Sequence, residues 1–398
     1  MTSVLVVDDS RPVRKLVGSV LTEHGYEVGT ASSAREGVEL VQTLGPDVVT
    51  MDVRMPGMDG IEAVERIMAT NPTPVVMLSA YTTGGGDATI QALARGAVDF
   101  LHKPGSETDV DVEDLKSDLV ETVDAVAGAP VDRLAANVRS IDNREPGEDS
   151  NARPFADSEA DIDAATGLPG RLPLDMRSRT RSPDRPEVAT QPATPPTVVI
   201  GASTGGPNVL DGVVTGLPAA LNARVLVVQH MPPSFTGRLA SHLDDVGGYD
   251  VAEARDGATV GAGEMLVAKG DYHMRVSGFA GEAGPNGRRL QVSLDQDERI
   301  HSVRPAVDAT MASVARREFA PLVGVVLTGM GEDGAAGIES MHAVGATTIA
   351  QNEETSPVFS MPRHAIETGC IDNVLAAEAI PAAIVDAVEK REREEAHA

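Results

Sequence analysis

The sequence predicts two α/β domains in tandem, each an open, mostly parallel sheet covered by helices and separated by a long acidic linker. Three observations predict it. At 398 residues the chain is longer than one ordinary domain. Short apolar runs alternate with stretches of helical spacing over residues 1–125 and again over 197–390. Between them, over residues 126–196, Pro, Asp, Glu, Arg and Ser dominate and the periodicity fades, as in a largely disordered connection.

In the first domain, strands are expected at Val4–Val7, Asp47–Met51, Pro74–Leu78 and Val98–Leu101, with a weaker one at Gly25–Val28. Apolar residues at helical spacing mark Pro12–His24, Ala34–Leu44 and Ile61–Ala69, and Asp109–Ala127 reads as the last helix. In the linker, Val131–Ile141 has the length of a short helix. In the second domain the clearest strands are Thr197–Ile200, Arg224–Val228, Met265–Ala268 and Leu322–Leu327. The last is apolar apart from Gly324, as a strand buried on both faces should be. Gly278–Asp295 reads as an antiparallel hairpin turning at Gly284–Gly287, and Ala376–Glu389 as a terminal helix. Residues 391–398 form a charged tail expected to fray.

Composition narrows the setting. The formal net charge is −27, which argues against nucleic acid as a partner. Lysine occurs only at Lys15, Lys103, Lys116, Lys269 and Lys390. Diffuse acidity with few lysines suits a salt-accumulating halophile, where strong salt screens carboxylate repulsion. A single cysteine, Cys370, allows no intramolecular disulfide. The N-terminus carries no basic region or cleavage site, and no apolar run reaches the roughly 20 residues of a membrane span. A soluble, cytoplasmic protein is expected, with no membrane insertion.

Five polar residues of the first domain fall at the ends of apolar runs. Asp8 and Asp9 follow the first run, Asp52 follows Val48–Met51, Ser79 ends Val75–Leu78, and Lys103 follows Phe100-Leu101-His102. In a parallel sheet such ends converge on one edge. Three converging carboxylates imply a divalent cation, and hard oxygen ligands suit Mg²⁺. Asp52 could then attack a phosphoryl donor while the cation and Lys103 neutralise the developing charge. Singly, each residue is equally a cap, a turn residue or a solvated charge. The Lys103-Pro104 bond, if cis, would aim the lysine. Thr82–Gly86 reads as a flexible loop after Ser79.

The motifs Val7-Asp8-Asp9-Ser10, Met51–Pro56, Leu78-Ser79-Ala80 and His102-Lys103-Pro104 resemble those of response-regulator receiver domains, a flavodoxin-like fold. The resemblance implies phosphorylation of Asp52 by a chemotaxis histidine kinase. It implies Mg²⁺ held by Asp9, Asp52 and the Arg54 carbonyl, with Asp8 acting through water. Ser79 would bond the phosphoryl group, and Phe100 would be the switch aromatic.

The second domain has its own strand-end set. Ser203 lies in Gly201-Ala202-Ser203-Thr204-Gly205, which fits the G-x-S-x-G turn that exposes a nucleophilic hydroxyl. His230 follows a second strand and Asp333 a third. Serine needs a histidine to take its proton, and that histidine needs a carboxylate to fix its tautomer. Neighbouring glycines leave backbone N–H groups for an oxyanion hole. His273 is a rival base and Glu332 a rival acid. The chain order Ser–His–Asp departs from the usual order of α/β-hydrolases.

Ile200–Pro207, Gln229-His230-Met231-Pro232, Lys269–Met274, Ser302–Asp308 and Thr328–Gly334 together resemble the chemotaxis protein-glutamate methylesterases, the CheB family. The resemblance implies a doubly wound, mostly parallel α/β esterase domain with a Ser203–His230–Asp333 triad. Thr204 and Met330 amides would be the oxyanion donors, and the esterase domain would need no cofactor. It implies methanol release from methyl-glutamyl residues of chemoreceptors, and deamidation of receptor glutamines. With a phosphorylation switch ahead of an esterase, the receiver is expected to restrain the esterase until Asp52 is phosphorylated. Glu332 departs from the small or polar residue usual there. A response regulator with a non-catalytic C-terminal binding domain, and an amidohydrolase acting mainly on glutamine, stand as alternatives.

Overall fold

The computed structural model describes residues 1–79, 85–103, 112–131, 186–189, 192, 194–284, 287–317 and 321–396. The chain divides into two compact units, Met1–Asn151 and Ala152–Ala398. The expected helix at Val131–Ile141 beyond its first residue, the Thr82–Gly84 part of the glycine-rich loop, the Pro104 bond and most of the expected linker lie outside the described residues.

The first unit runs β1 (Ser3–Val7), α1 (Arg11–Glu23), β2 (Glu27–Ala31), α2 (Ala34–Leu44), β3 (Val48–Asp52), α3 (Gly60–Thr70), β4 (Val75–Ser79), α4 (Gly85–Ala94), β5 (Asp99–His102) and α5 (Val112–Val126). All pairings are parallel, in the order β2-β1-β3-β4-β5. β3 and β4 are buried along their whole length, which explains why apolar residues dominate both. Helix starts follow local chemistry: the Ser33 hydroxyl accepts the Glu36 amide at α2, and Asp59 accepts the Glu62 amide at 2.8 Å at α3. β2 begins two residues later than the sequence suggests. The Gly25 and Tyr26 amides still close α1, bonding the Thr22 and Leu21 carbonyls. α4 has no counterpart in the sequence reading, because its first turn opens on Gly85-Gly86-Asp87, all poor helix formers.

The second unit continues with β6 (Thr197–Ala202), α6 (Gly206–Gly216), β7 (Arg224–Gln229), α7 (Pro233–Val246), β8 (Asp250–Glu253), β9 (Thr259–Val260), β10 (Glu264–Val267), β11 (His273–Gly284) and β12 (Gly287–Asp295). It closes with α8 (Val307–Ala315), β13 (Leu322–Val326), α9 (Ala335–Ala343), β14 (Thr347–Gln351), α10 (Ser360–Glu367), β15 (Asn373–Leu375) and α11 (Ile380–Ala396). Seven strands form a parallel sheet in the order β15-β14-β13-β6-β7-β10-β8, and β11-β12-β9 form a separate antiparallel sheet. Val199, Leu226, Val326, Val307 and Met311 belong to the core under the large sheet, each at most 1 % exposed. Burying one such side chain contributes roughly 1.5–3 kcal/mol.

Two expectations need correction. The hairpin is longer than read, since β11 starts at His273 rather than Gly278. The tail expected to fray is helical to Ala396, supported by Arg393, which hydrogen-bonds the Glu389 carbonyl and faces its carboxylate at 3.7 Å. Among the described residues no helix is long and apolar enough to cross a membrane.

Candidate active site and phosphoacceptor site

Both strand-end sets lie where their sheet changes direction. In the first sheet the chain passes from β1 to β2 on one side and to β3 on the other, so Asp8, Asp9 and Asp52 flank the switch point. In the second it leaves β6 for β7, β10 and β8, then returns as β13 beside β6. Ser203 follows β6, and Asp333 lies in the loop after β13. Open parallel sheets bind ligands at this crevice.

The first site gathers oxygen. Asp8, Asp9 and Asp52 each offer a carboxylate oxygen within 4.8 Å of the others. Asp8 is buried, Asp9 exposed and Asp52 6 % exposed. Lys103 Nζ stands 2.6 Å from Asp8 Oδ2 and 2.8 Å from Asp52 Oδ1. One ammonium against three carboxylates leaves an excess of negative charge. Burial, reinforced by the Asp8 charge, holds the Asp52 carboxyl above its ordinary pKa despite Lys103. Such an oxygen-rich, electron-rich set fits a hard divalent cation of the Mg²⁺ kind. The Arg54 amide donates to Asp52 Oδ1 at 3.3 Å. The Ser79 hydroxyl, in register one position past Asp52 on the neighbouring strand, accepts from Thr89 at 2.9 Å. Phe100 is buried edge-on to His102, with ring centroids 5.6 Å apart.

In the second unit, strand register aligns the catalytic candidates. Ala202 pairs with Gln229, so Ser203 and His230 are the next positions on adjacent strands. The His230 amide bonds the Ala202 carbonyl at 3.1 Å, and the Ser203 amide bonds the Thr328 carbonyl at 2.9 Å, tying in the end of β13. Between Ser203 and α6 the chain turns within two residues. Gly205 makes this possible with φ 76°, and a Cβ there would meet Pro357 at 2.8 Å. Gly329 matters for space: a Cβ would lie 2.6 Å from that of Ser203.

His230 Nε2 lies 2.8 Å from Asp333 Oδ2. With Nε2–H donating there, Nδ1 is the ring nitrogen left to accept a proton from Ser203. Ser203 Oγ makes no hydrogen bond among the described residues, a loose geometry common before substrate is bound. Asp333 is 1 % exposed but well supplied with donors. Its Oδ2 also accepts the Val307 amide at 2.7 Å, and its Oδ1 the Asp308 amide at 2.9 Å, both from the N-terminus of α8. Burial opposes its charge, yet the His230 hydrogen bond and charge and these two amides hold its pKa below the ordinary carboxylate value. Hydrogen bonds to an ionised group contribute about 1.5–3 kcal/mol each, so three outweigh the desolvation.

The rivals sort themselves by environment. His273 is fully buried, its Nε2 donating to the Glu298 carbonyl at 3.0 Å and its Nδ1 accepting the Ala306 amide at 3.2 Å. Both nitrogens are spent on backbone, so it is a structural histidine. The Glu332 side chain is 60 % exposed and faces His301, not His230. The amides of Thr204 and Met330 have no partner among the described residues, and their carbonyl neighbourhood is braced. The Thr328 hydroxyl donates to the Thr204 carbonyl at 2.9 Å and accepts the Val358 amide at 3.0 Å.

Two buried glutamines escaped the sequence reading as site residues. Gln229 Nε2 bridges the carbonyls of Ser203 at 2.8 Å and His230 at 3.2 Å. Gln351 Oε1 accepts the Thr328 amide at 2.8 Å. Each is a buried polar residue that ends its strand directly after apolar residues, the signal that could have found them.

Comparison with known proteins follows the two units. The family described as "CheB methylesterase" matches residues 198–384, and "Response regulator receiver domain" matches residues 4–112. A "Protein-glutamate methylesterase/protein-glutamine glutaminase" of Halobacterium salinarum is 44% identical, covering 98% of this chain and 99% of that protein. A protein of the same name from Haloarcula marismortui is 45% identical, over 96% and 97% of the two chains. Another, from Symbiobacterium thermophilum, is 41% identical over 97% and 96%. With its receiver domain ahead of its esterase domain, the chain belongs to the CheB methylesterase family.

Proposed function

We propose that the protein is a phosphorylation-regulated serine hydrolase of the cytoplasm that removes methyl groups from methyl-glutamyl residues of chemoreceptors and deamidates receptor glutamines, giving adaptation in chemotaxis. The observation that carries the reading is the part-buried His230–Asp333 pair at 2.8 Å, with His230 aligned to Ser203 at the end of the adjacent strand.

His230 Nδ1 takes the Ser203 Oγ proton as Oγ attacks the side-chain carbonyl carbon of the methyl-glutamyl residue. Thr204 and Met330 N–H groups face the developing oxyanion, each such donor contributing about 3 kcal/mol in well-studied hydrolases. His230 then protonates the leaving methoxide, and methanol departs. Asp333 keeps the imidazole in one tautomer and offsets its transient charge. Water, deprotonated by His230, cleaves the acyl-serine and restores Ser203. With glutamine the leaving group is ammonia, and the remaining steps are unchanged. The esterase site assembles this chemistry from side chains and amides.

The receiver site serves as its switch. Asp52 accepts a phosphoryl group from a chemotaxis histidine kinase, and Lys103, now on Asp52 Oδ1, meets the added charge. Asp9, Asp52 and the Arg54 carbonyl would hold Mg²⁺, with Asp8 through water; bound there, the cation neutralises charge on the phosphoryl oxygens. Ser79 and Phe100 are the residues that would respond. The domains are taken as 1–125 and 197–390 with 126–196 as linker, and phosphorylation favours the active arrangement by differential stability.

The test is methanol release from methylated chemoreceptor in multimolar KCl, with and without acetyl phosphate. The expected result is release that rises with phosphodonor and vanishes in Ser203→Ala. Equal release with and without phosphodonor removes the switch, and ammonia without methanol favours the amidohydrolase reading.

A further inference from the structure

Behind the triad stands a second carboxylate that the hydrolysis above does not use. Asp308 is buried at the N-terminus of α8, and with His301 and Asp333 it places three ligand-type atoms within 4.8 Å of one another. A metal site is the first reading of such a cluster, and the hydrogen bonds argue against it. Asp333 already accepts His230 Nε2 and the Val307 and Asp308 amides. Asp308 Oδ1 accepts the Gly334 amide at 2.9 Å and the Gly337 amide at 2.6 Å, and its Oδ2 faces His301 Nε2 at 3.0 Å. Donors already saturate these carboxylates.

The arrangement is a crossed pair of helix caps. Asp333, just before α9, holds the first amides of α8. Asp308, in the first turn of α8, holds the first amides of α9. Each carboxylate sits at the positive end of the other's helix. Two buried like charges so close still raise each other's cost, and Asp308, disfavoured by burial and by Asp333, is held above its ordinary pKa. A cation is needed beside it.

His301 meets that need. Its Nε2 faces Asp308 and its Nδ1 faces Glu332 Oε1, each at 3.0 Å. With a carboxylate on both nitrogens, both must donate, which only the imidazolium does. Burial works against that charge, but the bond to Asp308 and the charges of Asp308, Asp333 and Glu332 prevail and raise its pKa. Those three carboxylates are the titratable groups facing it, from α8 and from the loop before α9. The backbone agrees. His301 (φ 50°) and Ser302 (φ 63°) are both left-handed, and the Val303 amide bonds the Ile300 carbonyl at 2.9 Å. This is a tight reverse turn of a kind that prefers Asn or Gly. Arg304 anchors it through Asp271 at 2.7 Å and the Gln296 and Asp297 carbonyls at 2.8 Å.

We propose that His301 is a positioning residue of the esterase site: as an imidazolium bridging Asp308 and Glu332, it keeps Asp308 ionised beside Asp333 and so holds the Asp333 loop against α8. Glu332 is then the outer partner of this cation. The inference rests on the esterase reading.

The experiment compares full-length wild type, His301→Gln, His301→Lys, Glu332→Gln and Ser203→Ala. His301→Gln is expected to lower kcat roughly tenfold with KM unchanged. Its acid limb of kcat/KM should move to higher pH, because without the neighbouring cation Asp308 takes up a proton at higher pH and the Asp333 loop loosens. His301→Lys should return the limb toward wild type. In parallel, ¹H–¹⁵N imidazole spectra of the wild type should show His301 protonated on both nitrogens at pH 7, and titrating at lower pH in Glu332→Gln. A neutral His301 at pH 7, or a His301→Gln enzyme with wild-type kcat and pH profile, overturns the proposal even if its melting temperature falls. If Ser203→Ala still releases methanol, the esterase reading itself fails. If only His301→Gln is silent, that reading stands and the positioning role does not.

Discussion

The two strand-end sites share a scaffold and differ in charge supply. Each lies at the switch point of an open parallel sheet, and each centres on a buried aspartate, Asp52 at 6 % and Asp333 at 1 % exposure. Their pKa values nevertheless move in opposite directions, up for Asp52 and down for Asp333. Burial raises both, so burial is not the difference. Asp333 accepts three N–H donors, while Asp52 has one lysine, one long amide contact and a neighbouring carboxylate. The fold decides where a carboxylate stands, and the donors around it decide its chemistry. A saturated carboxylate is a fixed anion that orients a base. An undersupplied one suits recruiting a cation and accepting a phosphoryl group.

The largest expected effect breaks the esterase half of the comparison. Ser203→Ala should lower methanol release at least ~10⁴-fold, since the remaining amides alone give only weak catalysis. Asp333→Asn should cost about 10⁴-fold in kcat, because an amide nitrogen facing His230 favours the wrong tautomer. It should also destabilise the second unit by roughly 1–3 kcal/mol, as one buried amide of α8 loses its acceptor. Kinetics at fixed salt and a thermal melt of each variant check both. A full-speed Asp333→Asn enzyme would end the view that donor supply makes Asp333 an orienting anion.

The receiver half predicts a cation response. Millimolar Mg²⁺ should raise the melting temperature of the first unit by several degrees, the scale of the ~2.7 kcal/mol gained at a hundredfold excess over Kd. Chelation should reverse it, and Asp9→Asn should abolish it. The second unit should not respond, because its candidate cluster His301–Asp308–Asp333 is filled by hydrogen-bond donors. Scanning calorimetry resolves the two transitions.

Legibility followed the same division. The placement of Ser203, His230, Asp8, Asp52 and Lys103 at one edge of their sheets was legible because each lies just past an apolar run, and parallel strands bring such ends together, while Asp333 lies farther along the loop after β13. The four clearest strands of the second unit, Thr197–Ile200 to Leu322–Leu327, stood out because burial on both faces leaves them unbroken. What escaped depends on distant partners. Asp308 and His301 gain meaning only when α8 and α9 cross, and Gln229 and Gln351 only when their amides reach a neighbouring strand. α4 was hidden behind its opening glycines, where tertiary packing overrides propensity. The charged tail looked frayed because the buried apolar stripe of α11, Ile380, Ile384, Val385 and Val388, ends before it, and the helix continues there through charged residues such as the Glu389–Arg393 pair.

The smallest effect is the sharpest test of the comparison, because its sign differs between the units. Asp333 has a depressed folded-state pKa, so its contribution is fully present above the ordinary carboxylate pKa and is lost as pH falls through the depressed value. Asp52 has a raised one, so the folded receiver binds its proton more tightly than the unfolded chain, and stability falls as pH rises through the raised value. Replacing each carboxylate by its amide removes these terms. Without divalent cation at pH 7, Asp52→Asn should therefore raise the melting temperature of the first unit by a few degrees, about 1 kcal/mol, while Asp333→Asn lowers that of the second. Both differences should shrink as the pH is lowered, the Asp52 difference first because that group protonates at the higher pH. Lys103 sets the limit on the Asp52 gain, since its ammonium loses an ionic partner at 2.8 Å and keeps Asp8 at 2.6 Å. If Asp52→Asn instead melts lower at pH 7, Lys103 supplies enough charge to make Asp52 a satisfied anion. The contrast with Asp333 would then rest on access for a phosphoryl donor rather than on donor supply.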